Sequence, residues 1–123
     1  MHKIISIVLT LQSLLVAGED KEMILLKGKW HFEKRCSFCH EKKGQGGVGP
    51  NLTDDYYIYG PTKEAMSYII RNGIKAKGMP EWQKIIPKDQ VDAIIEYVWS
   101  IKGTNLKGKS PEGVKFSSNK SAK

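Results

Sequence analysis

Cys36-Ser37-Phe38-Cys39-His40 is the stretch of this 123-residue chain that decides its fold and its chemistry. The chain has 2 cysteines, and both lie in this stretch, separated by two residues and followed directly by a histidine. A C-x-x-C-H run is typical of covalent haem attachment. Two thiols at this spacing reach the two vinyl groups of one porphyrin, and the histidine then lies under the iron. We therefore predict one haem c, covalently bound through Cys36 and Cys39, with His40 as an axial iron ligand.

Other interpretations of the cysteine pair fit the chain less well. A thioredoxin-like redox pair is expected near a βαβ pattern, whereas the sequence around the pair has helical periodicity. A structural zinc site needs four ligands, and outside the motif and the predicted signal, which contains His2, the chain offers His31 and scattered carboxylates. A disulfide would close so short a loop that it would stabilise the fold little.

A methionine is the candidate for the second axial ligand. Met79 lies in Gly78-Met79-Pro80, a polar loop in which a core methionine has no obvious role, and a thioether ligand raises the potential of haem iron. Met66 falls on the apolar face of a predicted helix and fits a gap-filling core residue. His31, five residues before Cys36 and on another face of its helix, is the alternative ligand.

Hydrophobic periodicity predicts three helices and no strands. The predicted helices span residues 22–38, 61–72 and 87–101, with Thr62 as an N-cap of the second and Pro87 at the start of the third. A glycine-rich loop, which we define as residues 41–52, separates the first two helices.

The two ends of the chain are predicted to lie outside the folded domain, which spans residues 19–103. Residues 1–18 contain an apolar run, Ile4 to Ala17, followed by small residues suited to signal-peptide cleavage. An uncleaved membrane anchor is the alternative, although a span needs roughly 20 apolar residues. Residues 104–123, rich in lysine and serine, are predicted to form a flexible or surface-wrapping tail.

The charge of the chain limits its partners. It has 20 basic and 13 acidic side chains and a formal net charge of +7, which favours partners with acidic docking surfaces. Nucleic acid is not expected, because the lysines are dispersed along the chain and the protein is predicted to be exported. Possible membrane association would come through the N-terminal segment.

Beyond the haem motif, the sequence resembles the small class I cytochromes c over residues 25–103. It is most similar to the haem domain of the dihaem subunit of cbb-type cytochrome oxidases, with similar runs at 49–60, 100–105 and 110–113. The residues that carry the family resemblance, in the family's order, are Gly28, Phe32, Cys36, Cys39, His40, Gly49-Pro50-Asn51-Leu52, Gly78-Met79-Pro80 and Tyr97.

The resemblance implies an all-α class I cytochrome c fold, with three main helices around one covalently bound haem and crossed N- and C-terminal helices. In that fold Gly28 and Phe32 meet Tyr97. The carbonyl oxygen of Pro50 accepts a hydrogen bond from the His40 ring and orients it.

The resemblance also has weaker implications and departures. Asn72, Trp82 and the tyrosines near Tyr57 are implied as haem-pocket residues. Glu41 stands where a glycine commonly follows the histidine, which we expect to be a tolerable surface change. A dihaem subunit would carry two haem motifs and membrane anchoring, so we expect a free-standing relative of its haem domain.

The sequence therefore predicts a periplasmic, monomeric, monohaem electron carrier of a respiratory chain with His/Met ligation. The alternative is a tethered haem domain or subunit of a larger oxidase or reductase complex. An enzyme such as a haem peroxidase is not expected, because a Met79 ligand would close the distal position that peroxidases need.

Overall fold

The computed structural model describes residues 20–116, so the predicted signal and residues 117–123 lie outside the described residues. Within that range the chain is mainly helical, as predicted. The elements in chain order are α1 (20–35), α2 (Ser37–His40), β1 (Tyr56–Tyr57), α3 (Lys63–Asn72), two 3₁₀ turns (Lys75–Lys77 and Trp82–Lys84), α4 (Lys88–Ile101) and β2 (Val114–Lys115).

Helices α1 and α4 cross in close contact. A Cβ atom at Gly28 would lie 2.0 Å from the carbonyl oxygen of Ala93 and 2.8 Å from the Tyr97 Cβ, so only glycine fits there. One turn later the fully buried Phe32 ring lies 5.4 Å from the Tyr97 ring. The predicted contact of Gly28 and Phe32 with Tyr97 is thus confirmed, and it explains why a helix tolerates an interior glycine.

The hydrophobic core is built mostly from α4. Its apolar stripe packs against Phe32 of α1, Ile70 of α3 and Ile86. Helix α3 begins as predicted at an N-cap, where the Thr62 hydroxyl accepts a hydrogen bond from the Ala65 N–H at 3.1 Å. Several half-buried residues line the edge of this core: Cys36, Leu52, Met66, Met79, Trp82 and Tyr97.

The first helix ends earlier than predicted. It was expected to continue to Phe38, but the chain turns at Cys36 and a separate short helix, α2, follows. The Ser37 hydroxyl donates to the Glu33 carbonyl oxygen at 2.5 Å, which competes with the backbone hydrogen bonds that would extend α1. The break places the three motif side chains on one compact turn.

The prediction that the chain has no strands was wrong for two short segments. Tyr56 pairs with Lys115 and Tyr57 with Val114 in an antiparallel ladder. Two-residue strands leave no detectable alternation in sequence, and one of them lies in the lysine-rich C-terminal segment. The Tyr57 and Phe116 rings meet edge to face, with centroids 5.8 Å apart, and support the pairing.

Residues 104–116, which we call the strap, run along the surface next to the glycine-rich loop. The backbone N–H groups of Asn105 and Lys109 donate to the carbonyl oxygens of Thr53 and Gln45, at 2.8 and 2.9 Å. The Asn51 side chain donates to the Leu106 carbonyl oxygen at 3.1 Å. The strap therefore holds the loop at both of its ends.

Candidate haem-binding site

The two cysteines occupy a single helical turn. Cys36 is half-buried at the start of α2, Cys39 is exposed, and both are free thiols. Burial raises the pKa of the Cys36 thiol to about 12, against the opposing charge of Arg35. A thioredoxin-type nucleophile needs a depressed pKa instead, so Cys36 does not fit that role.

The His40 ring is oriented by a backbone acceptor. Its Nδ1 lies 2.9 Å from the Pro50 carbonyl oxygen, which is the hydrogen bond that the family resemblance implies. Burial lowers the pKa of His40, the Pro50 carbonyl opposes that effect, and the charge of Lys109 lowers the pKa further. A neutral ring that donates from Nδ1 presents Nε2 as the free electron pair, as a metal-ligating histidine requires.

The glycine-rich loop folds back onto the motif. Its Gly46 N–H donates to the His40 carbonyl oxygen at 2.9 Å, and its Gly49 N–H donates to the Cys39 carbonyl oxygen at 2.7 Å. A Cβ atom at Gly49 would lie 2.7 Å from the His40 Cε1 atom. The loop therefore provides a cradle shaped to the imidazole ring, which fits a histidine held in place for a cofactor.

The Met79 loop is also held firmly. Met79 and Ile74 form an antiparallel bridge, with N–H to oxygen distances of 3.0 and 3.1 Å. Gly73, at φ +69°, lies under the loop, and a Cβ there would come within 2.5 Å of the Met79 and Pro80 carbonyl oxygens. Gly78 and Pro80 are exposed, whereas Met79 is half-buried against the core, and so is Met66. Burial alone does not separate the two methionines.

His31 has other partners. It is 7% exposed on α1, its Nδ1 lies 3.1 Å from Arg35 Nη1, and the Trp30 ring packs edge-on against it at 4.9 Å. Because a guanidinium only donates, Nδ1 accepts this hydrogen bond. These contacts explain His31 as a buried residue of α1 whose ring is packed and hydrogen-bonded within its own helix.

The implied pocket residues fall into two groups. Trp82 packs against the core, and Asn72 joins α3 to the Trp82 turn by accepting a hydrogen bond from Gln83 Nε2 at 3.1 Å. Tyr57 instead lies under the Lys102 ammonium, 4.3 Å from its ring centroid, and against the strap. The structure therefore places Tyr57 in the packing of the C-terminal segment.

Sequence reasoning missed the ion pair of Lys102 and Asp54. Both side chains are 10% exposed, with Nζ 3.4 Å from Asp54 Oδ1 and 2.6 Å from the Tyr56 carbonyl oxygen. No motif indicates this pair, because the two residues lie 48 positions apart.

Two negative observations concern other site types. Among residues 20–116, no cluster of three or more His, Cys, Asp or Glu side chains could hold a metal ion. Over the same range, no helix has both the length and the apolar character needed to cross a membrane.

Comparison with known proteins finds similarity over the region that contains these motifs. A family model described as cytochrome C oxidase, cbb3-type, subunit III matches residues 25–98. The chain belongs to this family of c-type cytochromes. The match includes the attachment motif, the glycine-rich loop, Met79 and most of α4.

Individual relatives of this cytochrome fall into two size classes. It is 31% identical to the cbb3-type cytochrome c oxidase subunit CcoP of Azospirillum sp. (strain B510) over 69% of its own length and 34% of that protein. It is 36% identical to cytochrome c6 of Euglena gracilis over 58% of its own length and 86% of that protein. The chain spans about a third of the length of the cbb3-type subunits that it matches.

A solved structure shows the fold. Cytochrome CL from the marine methylotrophic bacterium Methylophaga aminisulfidivorans MPT superposes with a TM-score of 0.60, covering 74% of each chain at 24% identity. The predicted all-α class I cytochrome c fold is therefore confirmed. Family and fold together identify this protein as a c-type cytochrome, and c-type cytochromes hold haem c covalently.

Proposed function

We propose that this protein is a periplasmic monohaem cytochrome that carries single electrons in a respiratory chain. The observation that carries the proposal is the His40 Nδ1 to Pro50 oxygen hydrogen bond of 2.9 Å, directly beside the two free thiols. This geometry supports Cys36 and Cys39 as the attachment residues and His40 as an axial ligand. Pro50 orients the ring.

The second axial position is proposed for Met79. When bound, haem c supplies a one-electron Fe(III)/Fe(II) couple, and a thioether ligand favours the reduced form. The bridge to Ile74 and the packing on Gly73 fix the backbone of this loop, so the side chain is presented from a rigid support. Met66, on the regular helix α3, lacks such a dedicated loop.

The relatives support two ways in which such a carrier could work. The Euglena cytochrome c6 match covers 86% of that protein, which favours a haem domain that stands alone. The cbb3-type subunits are about three times longer than the matched region, which favours a domain within a larger oxidase complex. We propose the free-standing carrier, with the tethered domain as the second candidate.

Charge supports the proposed class of partner. The formal net charge of +7 would attract redox proteins with acidic docking surfaces. Screening shortens such attraction to roughly 8 Å at physiological ionic strength, so electron transfer with the partner should slow as salt rises. A rate independent of salt would indicate an apolar docking patch instead. We propose a monomer with no nucleic-acid partner.

The test is production of the full chain in a host that attaches haem to exported cytochromes. After denaturation, the polypeptide should retain haem on a gel, at one haem per chain by mass. Cys36→Ala should weaken attachment, and His40→Ala should abolish the low-spin spectrum. A polypeptide free of haem in a competent host would refute the proposal.

Fractionation of the cells separates the free-standing carrier from the tethered domain, because a free carrier is released with the periplasm.

A further inference from the structure

Lys109 of the strap is fixed against the glycine-rich loop. Its backbone N–H donates to the Gln45 carbonyl oxygen at 2.9 Å, and its ammonium donates to the Val48 carbonyl oxygen at 3.1 Å. The same ammonium lies 2.8 Å from Glu112 Oε1. The cation is thus held over the loop by main-chain and side-chain contacts at once.

Close packing keeps this arrangement in place. A Cβ atom at Gly108 would lie 2.0 Å from the Gln45 carbonyl oxygen, and one at Gly46 would lie 2.7 Å from the Lys109 Cβ. The Asn51 side chain reaches toward the Lys109 carbonyl oxygen at 3.5 Å. Strap and loop therefore meet without spare room, and larger residues at Gly46 or Gly108 would push the Lys109 backbone away from the loop.

The charge of Lys109 acts on His40. The Lys109 ammonium lies 3.1 Å from the Val48 carbonyl oxygen, and the next residue, Gly49, packs on the His40 ring. A positive charge fixed this close to the imidazole disfavours the additional positive charge that an oxidised iron bound to that imidazole would carry.

This inference rests on the haem site proposed above. We propose that the positive charge of Lys109 raises the reduction potential of the haem iron. The reaction is the addition of one electron, delivered by a redox partner, to Fe(III) to give Fe(II), with no bond made or broken in the protein. A positive charge held over the loop that cradles the proposed iron ligand would favour the product. Glu112 opposes this effect, because its carboxylate partly neutralises the lysine.

Removing the charge of Lys109 and removing that of Glu112 should therefore shift the reduction potential in opposite directions. Lys109→Gln should lower the reduction equilibrium constant about threefold to tenfold, since part of the charge effect is screened by solvent and by Glu112. At 59 mV per tenfold for one electron, that is a fall of about 28 to 59 mV. Glu112→Gln should raise the equilibrium constant, because it leaves the lysine unopposed. Lys109→Arg keeps the charge and should restore most of the potential.

Spectroelectrochemical titration of the haem-loaded full chain tests this inference. Lys107→Gln is the matched control, because it removes the same charge from an exposed position of the same strap. Equal shifts for Lys107→Gln and Lys109→Gln would overturn the inference, as would a fall in potential for Glu112→Gln. If Lys109→Gln fails to accumulate with haem, the direction in which Glu112→Gln shifts the reduction potential tests the inference instead. A rise supports it and a fall overturns it.

Failure of this inference is distinguishable from failure of the proposed function. If the unchanged chain attaches haem and shows a low-spin spectrum, but Lys109→Gln leaves the potential unaltered, only the role of Lys109 is wrong. If the unchanged chain attaches no haem, the proposed haem site itself is wrong. If the role of Lys109 is merely structural, Lys109→Gln should lower the free energy of unfolding. The reduction potential should then not shift in opposite directions for Lys109→Gln and Glu112→Gln.

Discussion

Gly49 lies so close to His40 that a Cβ atom at residue 49 would come within 2.7 Å of the ring atom Cε1 and 2.9 Å of Nδ1. The same ring donates to the carbonyl oxygen of the next residue, Pro50, at 2.9 Å. One glycine and one proline therefore set both the position and the rotation of the imidazole.

Gly49→Ala should displace the His40 ring. The added methyl group overlaps the imidazole, and overpacking of this kind costs about 1–3 kcal/mol. We expect a lower melting temperature and a changed haem spectrum, measured on the exported protein. Gly47→Ala is the matched control, because a Cβ there would meet the flexible end of Glu41 at 2.6 Å. Equal effects of the two substitutions would show that the ring contact does not matter.

Met79→Ala should open the proposed distal position. The weak sulfur-to-iron absorption band in the red of the oxidised spectrum should disappear, and cyanide and carbon monoxide should bind. Met66→Leu is the control, since Met66 packs against the same core from α3 and should leave the spectrum nearly unchanged. If Met66→Leu removes the band and Met79→Ala leaves it unchanged, Met66 is the ligand and the assignment of Met79 is wrong.

Lys102→Met should destabilise the fold by about 3 kcal/mol, because it leaves the Asp54 carboxylate buried without its cation. Burial lowers the pKa of Lys102 and Asp54 raises it, which indicates that the ammonium depends on this partner. Urea denaturation measures the effect. Lys63→Met removes a pair with Glu96 that is far more exposed than the Lys102–Asp54 pair, and it should cost under about 1 kcal/mol. The Asp54→Asn, Lys102→Met double variant should lose less stability than the sum of its parts.

His31 should make the protein less stable in mild acid. Burial, followed by the charges of Arg35 and Lys27, lowers the pKa of His31 below 6.5. The unfolded chain then takes up this proton at a higher pH than the folded chain, so stability is complete above pH 6.5 and falls as the pH drops toward the lowered pKa. Urea denaturation at a series of pH values should show this loss.

His31→Gln should flatten the pH dependence without altering the haem spectrum. The substitution removes the titrating ring and keeps a polar side chain next to Arg35. A spectrum that changes on this substitution would instead identify His31 as an iron ligand.

Local patterns made the helices and the attachment turn predictable. The apolar stripe of α4 and the Thr62 N-cap are encoded within a few neighbouring residues, and C-x-x-C-H carries its own spacing rule. The strap contacts and the Lys102–Asp54 pair were not predictable, because they join residues about 50 positions apart that share no periodic pattern.

Glu41 shows a second limit of sequence reasoning. It was expected to be a tolerable surface change, and its side chain is indeed exposed, but its backbone adopts φ 67° and ψ 163°. That region is almost restricted to glycine and costs of order 1–3 kcal/mol. The departure from the family pattern therefore places backbone strain directly after His40.

The strap has a consequence for the order of events during folding. The Asn51 side chain and the Leu106 carbonyl oxygen lie 55 positions apart, and such distant contacts form late because the intervening chain must first be ordered. The C-terminal segment is also the last of the described residues to be translated. Until it docks, the glycine-rich loop lacks its strap contacts at Gln45 and Asn51. The cradle around the His40 ring is therefore completed only at the end of folding, when the two halves of the chain have come together.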